Sequence, residues 1–440
     1  MFNSIANFFK NQNKFDLLVV FLSISVFLPI PLSNLGALAC FVFIIAFFEK
    51  FVKPDKYFIA LIFYFFLTIV SFFWSIYPEH TLESIPRNIF FLIIPLFFIN
   101  RRVLNSLKVD FVLKQYSLFC VFISVVFIVR ALVRFGLTGE VSYFFFHGDY
   151  SNDFGLVPKE LNAIHVSAFI SLSYFYLLTK TDRSKVENIA IIILLLFLLL
   201  LNSTNIIFIT LLLSFVYYFF YSKQANRMRL RNVMVLFFCI SSIFLYKKAE
   251  RFLEVEFKSS ISRGIGHNVI DELPNESHKV TLYEAWNNEK FTPNDFFPGT
   301  AFRVYQARLF RDFLKEDNIF WKGFGYNASQ IKIEEKGIVN NVFLGNETRE
   351  GYQKKNFHNQ YLQTFAELGI IGFFILIMLL VFSLIKAIKT KDFIHIAFTI
   401  LMISLFLTES FLMRQRGIVF FVLFYCLFMS QGKEKLKEIE

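Results

Sequence analysis

The chain has 440 residues and a formal net charge of +11, and 56% of it is hydrophobic, including 64 Phe. A soluble fold of that length cannot bury so much apolar side chain, so the composition excludes a soluble enzyme and points to an integral membrane protein. The positive balance sits in short segments between apolar runs, a pattern of membrane orientation that leaves no case for a nucleic-acid partner.

In chain order, apolar stretches fall at 15–33, 36–48, 57–74, 88–100, 115–133, 163–179, 187–201, 204–221 and 232–246, then at 368–385, 393–408 and 417–430. Their lengths suit a hydrocarbon core of roughly 30 Å, the shorter ones extended by tilt or flanking aromatics. The expected fold class is an all-α polytopic membrane protein with about 12 transmembrane helices and one large, partly helical outer loop. Residues 1–247 would carry the first helices, with an outer loop at 135–162; 248–357 would be the large loop, 358–431 the last helices and 432–440 a cytoplasmic tail. Cys40, Cys120, Cys239 and Cys426 all lie in apolar runs, so no disulfide framework is implied. Lys10 and Lys14 precede a span bent by Pro29 and Pro31 rather than a small-residue cleavage site.

With the amino terminus inside, the inner segments 1–14, 49–57, 101–114, 180–186, 222–231, 386–392 and the tail carry 22 Lys and Arg. The short outer loops at 34–36 and 202–205 carry none, which places both termini in the cytoplasm. Within 250–357 the count is 15 Lys and Arg against 16 Asp and Glu, so the large loop is nearly neutral. Clusters such as DELPNES (271–277) and TPNDFFPGT (292–300) divide it into short pieces without marks of an independently folding domain. AFRVYQARLFRDFLK (301–315) has helical patterning.

The cations that break the orientation pattern are Arg87, Arg130, Arg134, Arg303, Arg414 and Arg416, all expected at outer ends. A multivalent anion would offset them. Four of them also have a plainer reading: Arg87 and the Arg130/Arg134 pair as helix-end arginines that snorkel, and Arg414 as one that Glu409 simply neutralises. Trp74 and Tyr77 read as interfacial anchors.

The stretch FHNQYLQTFAELGIIGFF (357–374) places His358, Asn359 and Gln360 at the lip of an apolar run. Asn356 can cap a helix starting there, which puts His358 in the first turn, where the positive end of the helix dipole favours a neutral imidazole base. His358, Leu362, Phe365, Gly369 and Gly372 then share one stripe, the two glycines letting a neighbouring helix approach closely. The alternative is that His358 and Asn359 only cap the helix and meet lipid headgroups. His165 is either a second polar residue of the same site or an interfacial histidine. His80, His147 and His267 have no metal-ligand spacing, and no metal cluster, phosphate-binding loop, dinucleotide fingerprint or nucleophile elbow occurs. A base and several arginines on the outer face, without ATP or a cofactor, suit group transfer from a membrane-dissolved donor activated as a diphosphate ester.

FHNQYLQTFAELGIIGFF resembles the His-Asn-Xaa-Xaa-Leu…Glu-Xaa-Gly-Xaa-Xaa-Gly signature of the O-antigen ligase and polymerase superfamily. FRVYQARLFRDFLKEDNIFWKGFGYNASQ resembles that family's Arg-led helix and Gly-Xaa-Gly turn, with Arg303, Gly323 and Gly325 on matched positions. FFWSIYPEHTLESIPRNI (Trp74, Ser75, Pro78, Arg87) and LTESFLMRQRGIVFF also resemble it. One position departs: LNSTNIIFI has Asn205 where the pattern commonly carries an arginine. The resemblance implies a metal-independent glycan transferase of the bacterial inner membrane with its large loop in the periplasm. It would move a glycan from undecaprenyl diphosphate to a lipid A core hydroxyl, as a ligase, or to another carrier-linked repeat unit, as a polymerase. His358 would be the base or the acceptor-positioning residue and Arg303 a diphosphate contact, with Arg87, Arg130, His165, Asn359, Glu409 and Arg414 as further substrate contacts. Transfer to protein hydroxyls and lipid-glycan transport are the remaining alternatives, transport being disfavoured by the clean helix centres and the absence of a repeat.

Overall fold

A computed structural model describes residues 13–48, 51–148, 154–221, 278–347 and 350–431. The expected span at 232–246, with Cys239, His267, the first part of the large loop and the 432–440 tail, lies outside them. Among the described residues the chain is all-α, and extended pairing is confined to isolated bridges.

The runs expected at 15–33 and 36–48 form α1 (Lys14–Ser25) and α2 (Ile30–Ala46): the first breaks after Ser25 and its end joins the second. Pro29 and Pro31 lack the N–H groups a continuous helix needs, whereas in the first turn of α2 that loss costs nothing. α3 (Lys56–Val70) continues through a 3-10 turn at Ser71–Trp74. α4 (Pro78–Asn88) abuts α5 (Phe90–Phe98), so the span expected at 88–100 begins at Pro78. There follow α6 (Arg101–Ser106), α7 (Val109–Thr138), α8 (Ala163–Thr179), α9 (Lys185–Leu200) and α10 (Thr204–Val216). The described part of the large loop contains α11 (Leu282–Asn287), α12 (Gly299–Glu316) and α13 (Ser329–Val339). The chain then forms α14 (Gln360–Thr390), α15 (Phe393–Thr408) and α16 (Gln415–Ser430). Among the described residues five stretches are long and apolar enough to cross a membrane: Lys56–Trp74, Pro78–Phe98, Val109–Thr138, Thr204–Tyr221 and Gln360–Thr390.

α16 is innermost. Every residue from Gly417 to Met429 is buried, and α1, α4, α5 and α14 pack around it. α8 is nearly as enclosed, with Phe169 against Phe420 at 4.7 Å between ring centroids. α7, by contrast, exposes Leu118, Phe122, Val129 and Leu132, as a helix facing lipid does.

Residues 280–357 have a second apolar core of their own, built on Val280, Phe291, Phe297, Phe302, Tyr305, Phe313 and Phe357. The helix expected at 301–315 is present as α12, whose Phe302, Tyr305, Leu309 and Phe313 line that core. The short pieces of the loop therefore assemble, held by aromatic side chains that recur between the polar clusters. This cap rests on the start of α14 through Ala366 and Leu362 and takes in Tyr77, whose hydroxyl donates to Glu335.

Candidate functional site

The polar lip of α14 is a splice between three segments. Asn359, not Asn356, is the N-cap: its side chain accepts from Leu362 N at 3.0 Å, and the helix begins at Gln360. Asn356 instead accepts from His358 N at 2.9 Å, and His358 stands outside the first turn with φ 46°. Asn359 also donates to Leu407 O, and the buried Gln360 accepts from Leu412 N at 2.7 Å. Buried Gln363 donates to Ser329 Oγ and to Glu367, while Ser410 donates to it. The carboxamides thus close the gap between α14 and the 407–412 connection, which an apolar helix end could not do, since its first N–H groups have no intrahelical partners.

That connection delivers Glu409, which caps the end of α15 and is 5% exposed. Its carboxylate lies 3.5 Å from His358 Nδ1, and the imidazole packs edge-on against Phe302 of the cap. Burial pushes the Glu409 carboxyl up, but the hydrogen bond and charge of His358, then the charges of His165 and Arg414, outweigh it and bring the value to about 2. Glu409 is therefore an ionised partner of His358, and Arg414 is exposed nearby rather than ion-paired with it. A carboxylate on Nδ1 fixes the tautomer and leaves Nε2 as the basic atom.

Arg303 enters the same cluster from α12. Its guanidinium donates to Gly299 O at 3.2 Å and to Thr408 O at 3.3 Å, next to Glu409. Thr408 Oγ1 in turn accepts from Asn205 at 2.9 Å, so the position that departs from the family pattern belongs to this cluster. His165 lies below it, 1% exposed, with its ring 4.4 Å from that of Phe411 and neither nitrogen hydrogen-bonded. His358, Arg303, Asn359, Glu409, Arg414 and His165 thus gather at one end of the bundle.

Three other arginines make their described contacts elsewhere. Arg87 donates to Asn327 Oδ1 at 2.8 Å and lies over the Tyr326 ring, where Tyr326 also bonds to Asn88. Its contacts hold the start of α13 against α4. Arg130 and Arg134 lie over Phe127 and Tyr143, on α7 and the turn after it.

The glycine stripe also reads differently in three dimensions. Gly369 has φ 64° and ψ −163°, which breaks α14 and frees backbone groups beside it. The turn after α12 fills the break: Phe324 N donates to Ala366 O at 2.8 Å, Gly325 N to Glu367 O at 3.0 Å, and Ile370 N to Phe320 O at 2.8 Å. A Cβ on Gly369 would stand 2.3 Å from Trp321 O, and one on Gly323 would stand 2.3 Å from the Glu367 carbonyl carbon. What approaches Gly369 is therefore a loop, not a helix, while a Cβ on Gly372 would meet Leu368 of α14 itself. Glu367, the Glu of the quoted signature but not one of the expected site residues, is buried at this junction and accepts from Ser329 at 2.9 Å and Gln363 at 2.6 Å. Its four-residue spacing from Gln363 on one helix face was the available signal.

Among the described residues no group of His, Cys, Asp and Glu could hold a metal ion. What converges is a carboxylate-oriented histidine, a guanidinium on the adjoining backbone and an exposed arginine, a set able to take a proton from a hydroxyl beside an anion.

No curated protein matches the chain. The family model described as O-Antigen ligase matches residues 189–377, a stretch that contains Arg303, the Gly323–Gly369 junction and His358. That match supports membership of the O-antigen ligase superfamily, a family of glycan-transferring ligase or polymerase type, and the apolar helices mark the chain as a membrane protein.

Proposed function

We propose that the protein is an O-antigen ligase that moves a glycan from undecaprenyl diphosphate to a lipid A core hydroxyl at the periplasmic face. The observation that carries this reading is the 3.5 Å approach of Glu409 to His358 Nδ1 beside the Arg303 guanidinium bonded to Thr408 O. In the proposed step His358 Nε2 takes the proton of the acceptor hydroxyl as its oxygen bonds to the anomeric carbon. The bond from that carbon to the diphosphate oxygen breaks, and undecaprenyl diphosphate leaves with the electron pair. Glu409 stabilises the imidazolium that forms, while Arg303 and Arg414 offset the charge gathering on the leaving diphosphate. A diphosphate leaves without protonation, so the step needs one base and no acid.

The test is reconstitution of the purified protein with an undecaprenyl-diphosphate glycan and, in parallel, a lipid A core acceptor or more of the carrier-linked repeat. Glycan appearing on the lipid A core, in the presence of EDTA, supports the ligase. Elongated carrier-linked chains with no modified core would replace it with the polymerase.

A further inference from the structure

The turn that fills the Gly369 break carries two large side chains that stay exposed among the described residues. Trp321 is 65% exposed and Phe320 43% exposed. They cannot fold inward, because the backbone beneath them is fixed on three sides. Phe320 O accepts from Ile370 N at 2.8 Å, Lys322 O from Trp74 Nε1 at 2.9 Å, and Phe324 O from Ile76 N at 2.9 Å.

What they adjoin identifies the occupant. Phe320 packs at 5.8 Å on Phe365, which packs at 5.6 Å on Phe373, the neighbour of Phe374. Phe374 and Ile371 are exposed on α14, and Phe73 is 81% exposed beyond the end of α3. Both helices belong to stretches long and apolar enough to span a membrane. The exposed aromatic turn is therefore continuous with a surface that meets lipid. At its upper edge it presents Trp74, with its indole N–H bonded, and the exposed Lys322. Aromatic rings with a polar handle, next to a lysine, are the composition of a membrane–water boundary.

We infer that the 319–322 turn is a wedge seated in the phospholipid interface, with Phe320 and Trp321 at the boundary between headgroups and acyl chains. The cap is thereby tied to the bilayer as well as to the helices. Through the hydrogen bonds at 366–370 the wedge sets the depth of the start of α14, and so of His358, relative to the headgroups. The inference concerns the bilayer and does not depend on which glycan is transferred.

The sequence holds three Trp, so Trp74→Phe with Trp286→Phe leaves Trp321 as sole emitter in the full chain. The protein is placed in phosphatidylethanolamine/phosphatidylglycerol nanodiscs with bromines either high or low on the acyl chain. The expected result is quenching of Trp321 about twofold stronger by the high bromines than by the low ones, with weak quenching by aqueous acrylamide. Trp321→Phe with Trp286→Phe, which keeps Trp74 alone, is expected to follow the same order. Strong acrylamide quenching of Trp321 without bromolipid quenching would overturn the wedge. Shielding from acrylamide that appears only on adding a polyprenyl phosphate would also overturn it, assigning the surface to a donor chain instead of the bulk lipid.

Discussion

Glu409 faces Nδ1 of His358 at 3.5 Å across the gap between the end of α15 and the start of α14. The two residues come from segments on either side of a helical hairpin, so their meeting depends on the carboxamide splice at 359–363. If Glu409 fixes the tautomer of a base, Glu409→Gln lowers single-turnover transfer about 10- to 100-fold. His358→Ala lowers it about 100- to 10,000-fold. The double variant should be no slower than His358→Ala alone, because the carboxylate acts through the histidine. Additive losses would mean that Glu409 has a separate role.

The same pair gives a pH signature in stability. The Glu409 carboxyl lies at about 2 in the folded protein against its ordinary 4.5. Its ionised form therefore stabilises the fold at pH above about 4.5, and that contribution fades as pH falls from there toward 2. Melting in detergent between pH 5 and pH 3 should show a smaller drop for Glu409→Gln than for the unmodified chain. Equal drops would place the acid sensitivity elsewhere.

Arg303 can be separated from the base by which kinetic constant moves. Its guanidinium already spans Gly299 O and Thr408 O, and a fork of this kind is poorly replaced by an ammonium. Arg303→Lys should raise the donor KM and lower kcat with the melting temperature little changed, and Arg303→Ala should do so more strongly. Unchanged donor KM and kcat in a well-folded Arg303→Ala protein would remove it from diphosphate binding.

Gly369→Ala tests the junction between cap and bundle. The backbone there is in a region that alanine rarely adopts, and the added Cβ would strike Trp321 O. The expected cost is about 1–3 kcal/mol or more, read as a lower melting temperature. Gly136→Ala is the control, since a Cβ there meets nothing within 4 Å. Equal melting temperatures for the two variants would show that the break in α14 is not constrained.

The sequence announced the apolar helices, the α12 helix and the polar lip because each has a local pattern. It could not distinguish α16 from α7: both are apolar nearly all round, and a lipid-facing surface is as apolar as a bundle interior. The partner of Glu409 was equally hidden. Arg414 is close in sequence and His358 is not, and only the fold of the 407–412 connection decides between them. The capping assignment failed by three residues because Asn356 and Asn359 are both competent caps. His358, held at positive φ, marks the boundary between them. The role of Gly369 was misread because a helical stripe presumes an unbroken helix.

The placement of α16 at the centre of the bundle bears on how the protein is made. Each helix packed around it, α1, α4, α5 and α14, precedes it in the chain and so leaves the ribosome first. Because Arg414 stands at the start of α16 and Glu409 at the end of α15, the packing of α16 into the bundle and the gathering of the proposed site residues are coupled.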